Sequence, residues 1–246
     1  MAAMLFYGTL RQTAILLAFL ALTANSVCAD EDPKGAEVLA KYLSSMEVQR
    51  EALRGTISNV TLEGSLPRLK KQGRMDVLRR VSRLGEITYK MLGFTGDNTI
   101  KKEVIGQYLT AETEAQTKTD PASISITPAN YNFRYKGLQQ RHETSSMVHV
   151  FELKPKQKRV GLFKGELWID PETNLPVRET GRLVRTPSIF LKRIQFVREY
   201  QIVDGVARPV RIESMVDTRI AGKALLAINF ANYRRDEPVA ADATAQ

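Results

Sequence analysis

The sequence predicts a mainly β, α+β fold: a curved antiparallel sheet with two amphipathic helices laid against it. Three observations lead there. From Ile124 onward nearly every segment alternates apolar and polar residues between turn signals, as strands do. Two earlier stretches break that rhythm with apolar residues three and four apart, which is helical spacing. Several strands, residues 190–197 and 224–228 among them, carry apolar residues on both faces, so each side of the sheet has something to bury.

The elements follow in order. Residues 34–54 form the first helix, with Val38, Leu39, Tyr42, Leu43 and Met46 on one face, and the helix ends near Gly55. Residues 57–66 are rich in β-branched side chains and read as a strand. In the next strand Met75, Val77 and Val81 alternate with Arg74, Asp76, Arg80 and Ser82, giving it a basic second face. A third strand spans 87–94, and Gly96-Asp97-Asn98 makes a turn. Ile100, Val104, Ile105, Tyr108 and Leu109 share a helical face, which places the second helix at 100–116. Strands are then expected at 131–135, 147–153, 163–170, 175–184, 188–203, 206–220 and 223–233. Asp204-Gly205 is a hairpin turn, and Ala221-Gly222 is another turn.

The first 29 residues stand apart. Arg11 is the single charge among them. An apolar run from Ala14 to Leu22 follows, then small and polar residues, then Val27-Cys28-Ala29. This is the pattern of a secretory signal peptide cleaved after Ala29, and its core is too short to span a bilayer. The expected organisation is a signal peptide at 1–29, one domain at 30–235 and a disordered polar tail at 236–246. Cleavage removes Cys28, the one cysteine, which excludes a disulfide, a thiol nucleophile and a thiolate metal site. It leaves 35 basic against 27 acidic residues. That balance suits either an anionic surface or plain solvation.

Catalytic patterns are absent from the sequence. His142 lies in a polar loop and His149 in an alternating strand, and neither has further ligands at usable spacing. Asp170 and Glu172 flank Pro171, where a turn explains them. Glu112 and Glu114 read as the solvated end of the second helix. There is no nucleophile elbow, phosphate loop or dinucleotide fingerprint. Trp168, the one tryptophan, is a buried aromatic of the sheet or a ligand contact. Lys154, Lys156, Lys158 and Arg159 cluster in one hairpin, and Arg79, Arg80 and Arg83 on one strand; both clusters guard a sheet edge or form a docking surface.

Three stretches carry a family resemblance: Asn130-Tyr131-Asn132-Phe133; Val150-Phe151-Glu152-Leu153-Lys154-Pro155; and the run from Phe163 through Trp168-Ile169-Asp170-Pro171-Glu172-Thr173-Asn174-Leu175-Pro176 to Arg178. Together with the signal peptide, the two helices and the long C-terminal meander, they resemble the LolA-like superfamily. That group comprises periplasmic outer-membrane lipoprotein-sorting proteins and related lipoprotein sensors. The resemblance implies an unclosed β-barrel whose helices cover an apolar concavity that holds acyl chains. The residues expected to line it are Val38, Tyr42, Met46, Val104, Tyr108, Phe133, Phe151, Trp168, Phe190 and Phe196. Arg54 is the positional candidate for the arginine that locks the lid in the carriers. The function implied is a periplasmic lipid or lipoprotein carrier. The alternative is an envelope sensor that uses the same half-barrel to bind a protein partner. Expected partners are lipoprotein acyl chains or another lipid, with transient docking to membrane proteins through the basic surface. No enzyme activity, cofactor, metal or nucleic acid is expected, and the chain reads as a monomer.

Overall fold

The computed structural model describes residues 32–118, 120–141, 144–188, 191–219 and 221–236. The expected signal peptide, Cys28, His142, Phe190 and the tail beyond Asp236 lie outside these residues.

Helix α1 spans Pro33–Ala52. Asp32 caps it by accepting the Lys34 N–H at 3.0 Å, and Pro33 sits in the first turn, where its missing donor costs nothing. Ten strands follow: β1 (Thr56–Leu66), β2 (Lys71–Val81), β3 (Ile87–Gly96), β4 (Tyr131–Gln140), β5 (Met147–Pro155), β6 (Phe163–Ile169), β7 (Pro176–Leu183), β8 (Leu191–Val203), β9 (Val206–Thr218) and β10 (Lys223–Arg235). They form one antiparallel sheet in the order β3-β2-β1-β10-β9-β8-β7-β6-β5-β4, which is not closed into a barrel. The first three strands are therefore grafted onto the C-terminal meander through β1 and β10. Val60 faces Phe230, and Leu62 faces Ile228.

Between β3 and β4 the chain passes from one sheet edge to the other. This crossing carries the second helix, and its opening differs from the expectation. Residues Ile100–Gly106 are a π-helix, which then continues as α2 (Gln107–Lys118). The wider turn lets Ile100 and Ile105, five residues apart and both fully buried, meet the sheet together. Gly106 makes it possible, because a Cβ there would lie 2.9 Å from the Lys101 carbonyl oxygen.

Both helices pack on the same face. The π-helix inserts Ile100 and Ile105 among Val60, Leu62, Met75, Val77 and Ile228. Helix α1 lays Val38 and Tyr42 on Tyr131, Phe151, Leu153, Phe163 and Leu167. A small third cluster, Val148, Val150 and Val177 with Trp168, stands apart from both. Close approach sets the glycines. A Cβ on Gly64 would reach within 2.7 Å of Ile100, and one on Gly165 would lie 1.9 Å from the Thr180 carbonyl oxygen.

Leu167 is fully buried, whereas Leu225 is 40% exposed on the helix-free face. In urea unfolding Leu167→Ala should cost about 2–5 kcal/mol, and Leu225→Ala should stay within about 0.5 kcal/mol. Equal losses would contradict this placement of the core.

Candidate functional site

The ten residues expected to line one concavity are divided by the fold. Val38, Tyr42 and Phe151 belong to the α1 cluster, with Met46, Phe133 and Phe196 half-buried around it. Val104 and Tyr108 pack instead on the cluster under the second helix. Trp168 is a correction. Leu167 and Ile169 turn toward α1, so strand alternation sends Trp168 to the opposite face. There its indole N–H donates to Glu166 at 3.1 Å, and the Arg178 guanidinium lies over its ring.

The α1 seam combines firm anchors with a looser flank. At the N-terminal end Gly35 presses on the Tyr135 side chain, so closely that a Cβ would come within 2.6 Å. At the C-terminal end buried Gln49 donates to the Gly205 carbonyl at 2.8 Å and accepts the Ala207 N–H at 2.8 Å. Between them Val38 and Tyr42 are buried, while Leu39, Leu43 and Met46 beside them are only half-buried. Beneath this seam the aromatic rings interlock. Phe163 meets Phe196 edge-on at 5.0 Å, and Tyr135 meets Phe151 at 5.1 Å. Arg54 follows α1 and pairs with Glu51 in the last turn of that helix at 2.7 Å.

A polar network that the sequence did not disclose lies on this same face. Glu179, 5% exposed, accepts from Tyr200 Oη at 2.7 Å and from Arg198 Nη1 at 3.0 Å. Burial first, and then the Glu179 charge, push the Tyr42 and Tyr200 phenols upward. Tyr200 and then Glu179 hold Arg198 in its charged form. A second group forms where Tyr89 donates to Glu112 at 2.5 Å and Arg79 pairs with Glu112 at 3.5 Å. Glu112 is therefore an ion-pair partner and not a solvated helix end. Arg79 faces the helices, whereas Arg80 pairs with Asp236 at 2.8 Å. In the other basic cluster, Lys156 and Arg159 donate to the carbonyls of Pro128 and Ser123, clamping the loop before β4. His149 is buried against Tyr135, whose hydroxyl lies 2.7 Å from Nδ1, and burial lowers its pKa.

The helix-free face holds a trench of about 1280 Å³ that crosses the strands from β3 to β6. Its banks are two rows of side chains that alternate away from the helices, such as Ser65, Leu225, Met215, Gln195 and Arg182 on one and Glu63, Ala227, Glu213, Val197 and Thr180 on the other. Its floor is backbone at Gly64, Leu226, Ser214, Phe196 and Gly181. A second space of about 440 Å³, lined by Arg134, Lys136 and Glu152, adjoins it and shares Lys164 and Arg182.

No protein-family model matches the chain, and no curated protein matches it. Among solved structures it is similar to a DUF1329 family protein from Desulfovibrio piger (12% identity, 81% of this chain and 93% of that one, TM-score 0.43). It is similar as well to a putative outer membrane lipoprotein-sorting protein domain from Vibrio parahaemolyticus (12% identity, 83% and 94%, TM-score 0.42). A LolA superfamily protein from Nitrosomonas europaea is a further neighbour (13% identity, 82% and 94%, TM-score 0.39).

Tyr131 ties the aromatic cluster together, because its hydroxyl accepts the Phe163 N–H at 3.2 Å. Tyr131→Phe should cost about 1–3 kcal/mol by leaving that donor unpaired. Burial pushes the Tyr131 and Tyr233 phenols up to about 12, against about 10 in an unfolded chain. A raised pKa favours the neutral form in the fold. That stability is complete below about pH 10 and is lost as pH rises through about 12. Urea midpoints measured from pH 9 to 12 should fall, and less steeply in Tyr131→Phe. A flat profile would contradict the burial of these phenols.

Proposed function

We propose that the protein is an exported, periplasmic carrier that shelters the acyl chains of a lipoprotein, or another lipid, beneath α1. The single observation that supports this most is the construction of the α1 seam. Gly35, Val38, Tyr42 and Gln49 anchor the helix, while Leu39, Leu43 and Met46 are half-buried in the same cluster as half-buried Phe133 and Phe196. Lifting such a helix withdraws Val38 and Tyr42 and exposes an aromatic surface to a ligand. The chemistry requires such a shelter, since an acyl chain in water costs about 0.8 kcal/mol per exposed CH₂. The polar group at Glu179, Arg198 and Tyr200 borders the cluster and supplies donors for the non-acyl part of a ligand. Export rests on the pattern of residues 1–29, and the carrier reading agrees with the resemblance of three sequence stretches to lipoprotein-sorting proteins.

A second reading, an envelope sensor that binds a protein, draws on the sheet edges. Strands β3 and β4 each have one unpaired edge, and Met91 and Leu92 on β3 are 52% and 58% exposed. Such an edge can take an added strand from a partner.

Two variants separate a lid from a filled core. Leu43→Ala should change stability by about 1 kcal/mol or less, below the cost of a packed leucine, yet weaken binding of a fluorescent fatty acid. Phe196→Asn should cut probe binding while the fold survives. Unfolding and probe affinity measured side by side decide the matter. If the wild type binds no apolar probe and both variants lose about 2–5 kcal/mol, α1 is ordinary core and the carrier reading falls to the sensor.

A further inference from the structure

The geometry points to a second site, separate from the α1 seam: the trench on the helix-free face takes a single-chain anionic amphiphile. Its acid head sits on Lys164 and Arg182, and its alkyl chain runs past Val197, Met215 and Leu225.

The head-group end is set by an unusual pairing. Lys164 and Arg182 stand directly opposite each other on β6 and β7. Like charges so placed repel, and neither has a carboxylate partner among the described residues. The acidic groups around them are all engaged. Glu63 pairs with Arg74, Glu213 with Arg211, Glu166 with Lys136 and Glu152 with Arg134. The field at this one spot is thus positive and uncompensated. It lies where the two spaces of about 1280 and 440 Å³ meet.

The same row of cross-strand partners then turns apolar. Arg182 faces Gln195, Gln195 faces Met215, and Met215 faces Leu225. Three strand spacings separate Arg182 from Leu225, roughly 14 Å. Val197 and Ala227 stand on the other bank, and the floor is backbone whose side chains point toward the helices. Charge therefore lies at one end of a trough with an apolar wall beside it, as an amphiphile requires. An acidic peptide fits less well. The strands that floor the trench are hydrogen-bonded on both sides, so a peptide's own backbone groups would find no partners there, whereas an alkyl chain needs none.

Trp168 supplies the test, because it is the one tryptophan and lies on this face four residues along β6 from Lys164. Full-length mature protein is titrated with a nitroxide-labelled stearic acid and its tryptophan fluorescence is followed. The wild type should be quenched saturably. The exposed double substitution K164Q/R182Q, which relieves repulsion and leaves the fold intact, should weaken this quenching about tenfold or more. Leu43→Ala should leave it unchanged, so failure here and failure of the α1 lid are read separately. An uncharged long-chain alcohol and inorganic phosphate should each compete poorly. Absence of quenching, or quenching indifferent to K164Q/R182Q, would overturn the proposal. Equal competition by phosphate would mark a plain anion site, and displacement by an acidic peptide would mark a peptide groove; either result rejects the amphiphile.

Discussion

Pairing of β1 with β10 is the contact on which the rest of the molecule depends. The N-terminal three strands and the seven-strand meander are separated by the whole helical crossing, yet they share one sheet because Val60, Leu62 and Gly64 register with Phe230, Ile228 and Leu226. Fully buried Leu62 sits in the middle of that seam and also faces Met75. With the seam in place, the segment between β3 and β4 must travel from one free edge to the other. The route available to it lies over the face to which Ile100 and Ile105 are drawn. The π-helical opening, the missing Cβ at Gly64 and the position of α2 all follow from that crossing.

The same constraint gives the sheet two unlike faces. One is covered by helices and filled by aromatic and aliphatic side chains, with the Glu179–Arg198–Tyr200 group and the Arg79–Tyr89–Glu112 group set into it. The other is open, crossed by ion pairs between neighbouring strands, and hollowed along a line of backbone where glycine recurs. A ligand that meets the first face has to move a helix. A ligand that meets the second needs only complementary charge and an apolar tail. The two proposed sites therefore differ in what binding must do to the protein, and a substitution at one leaves the other in place.

Much of this was legible in the sequence. The 3.6-residue periodicity marked α1 to within two residues at its ends, and period two with turn residues marked the strands. The α1 half of the candidate site was legible too, since Val38, Tyr42, Phe133, Phe151 and Phe196 do gather. Trp168 was misplaced for a reason available beforehand. It alternates with Leu167 and Ile169, and regular strand alternation sends it to the opposite face. Other features depend on pairings that no local pattern encodes. Glu179 and Arg198 are nineteen positions apart on different strands, and Lys164 opposes Arg182 because of the length of the β6–β7 hairpin. The reassignment of Glu112 has the same origin, because Arg79 and Tyr89 approach it only after β2, β3 and α2 assemble.

The proposed carrier function requires α1 to be a separately opening lid on a standing sheet. Native-state hydrogen exchange, followed amide by amide with and without a bound fatty acid, tests this most directly. The α1 amides should open at a free energy well below that of β1 and β10 and gain protection when the acyl ligand is present. If α1 exchanges only together with those strands, and no ligand alters its protection, the helix is part of the core and the lid does not exist.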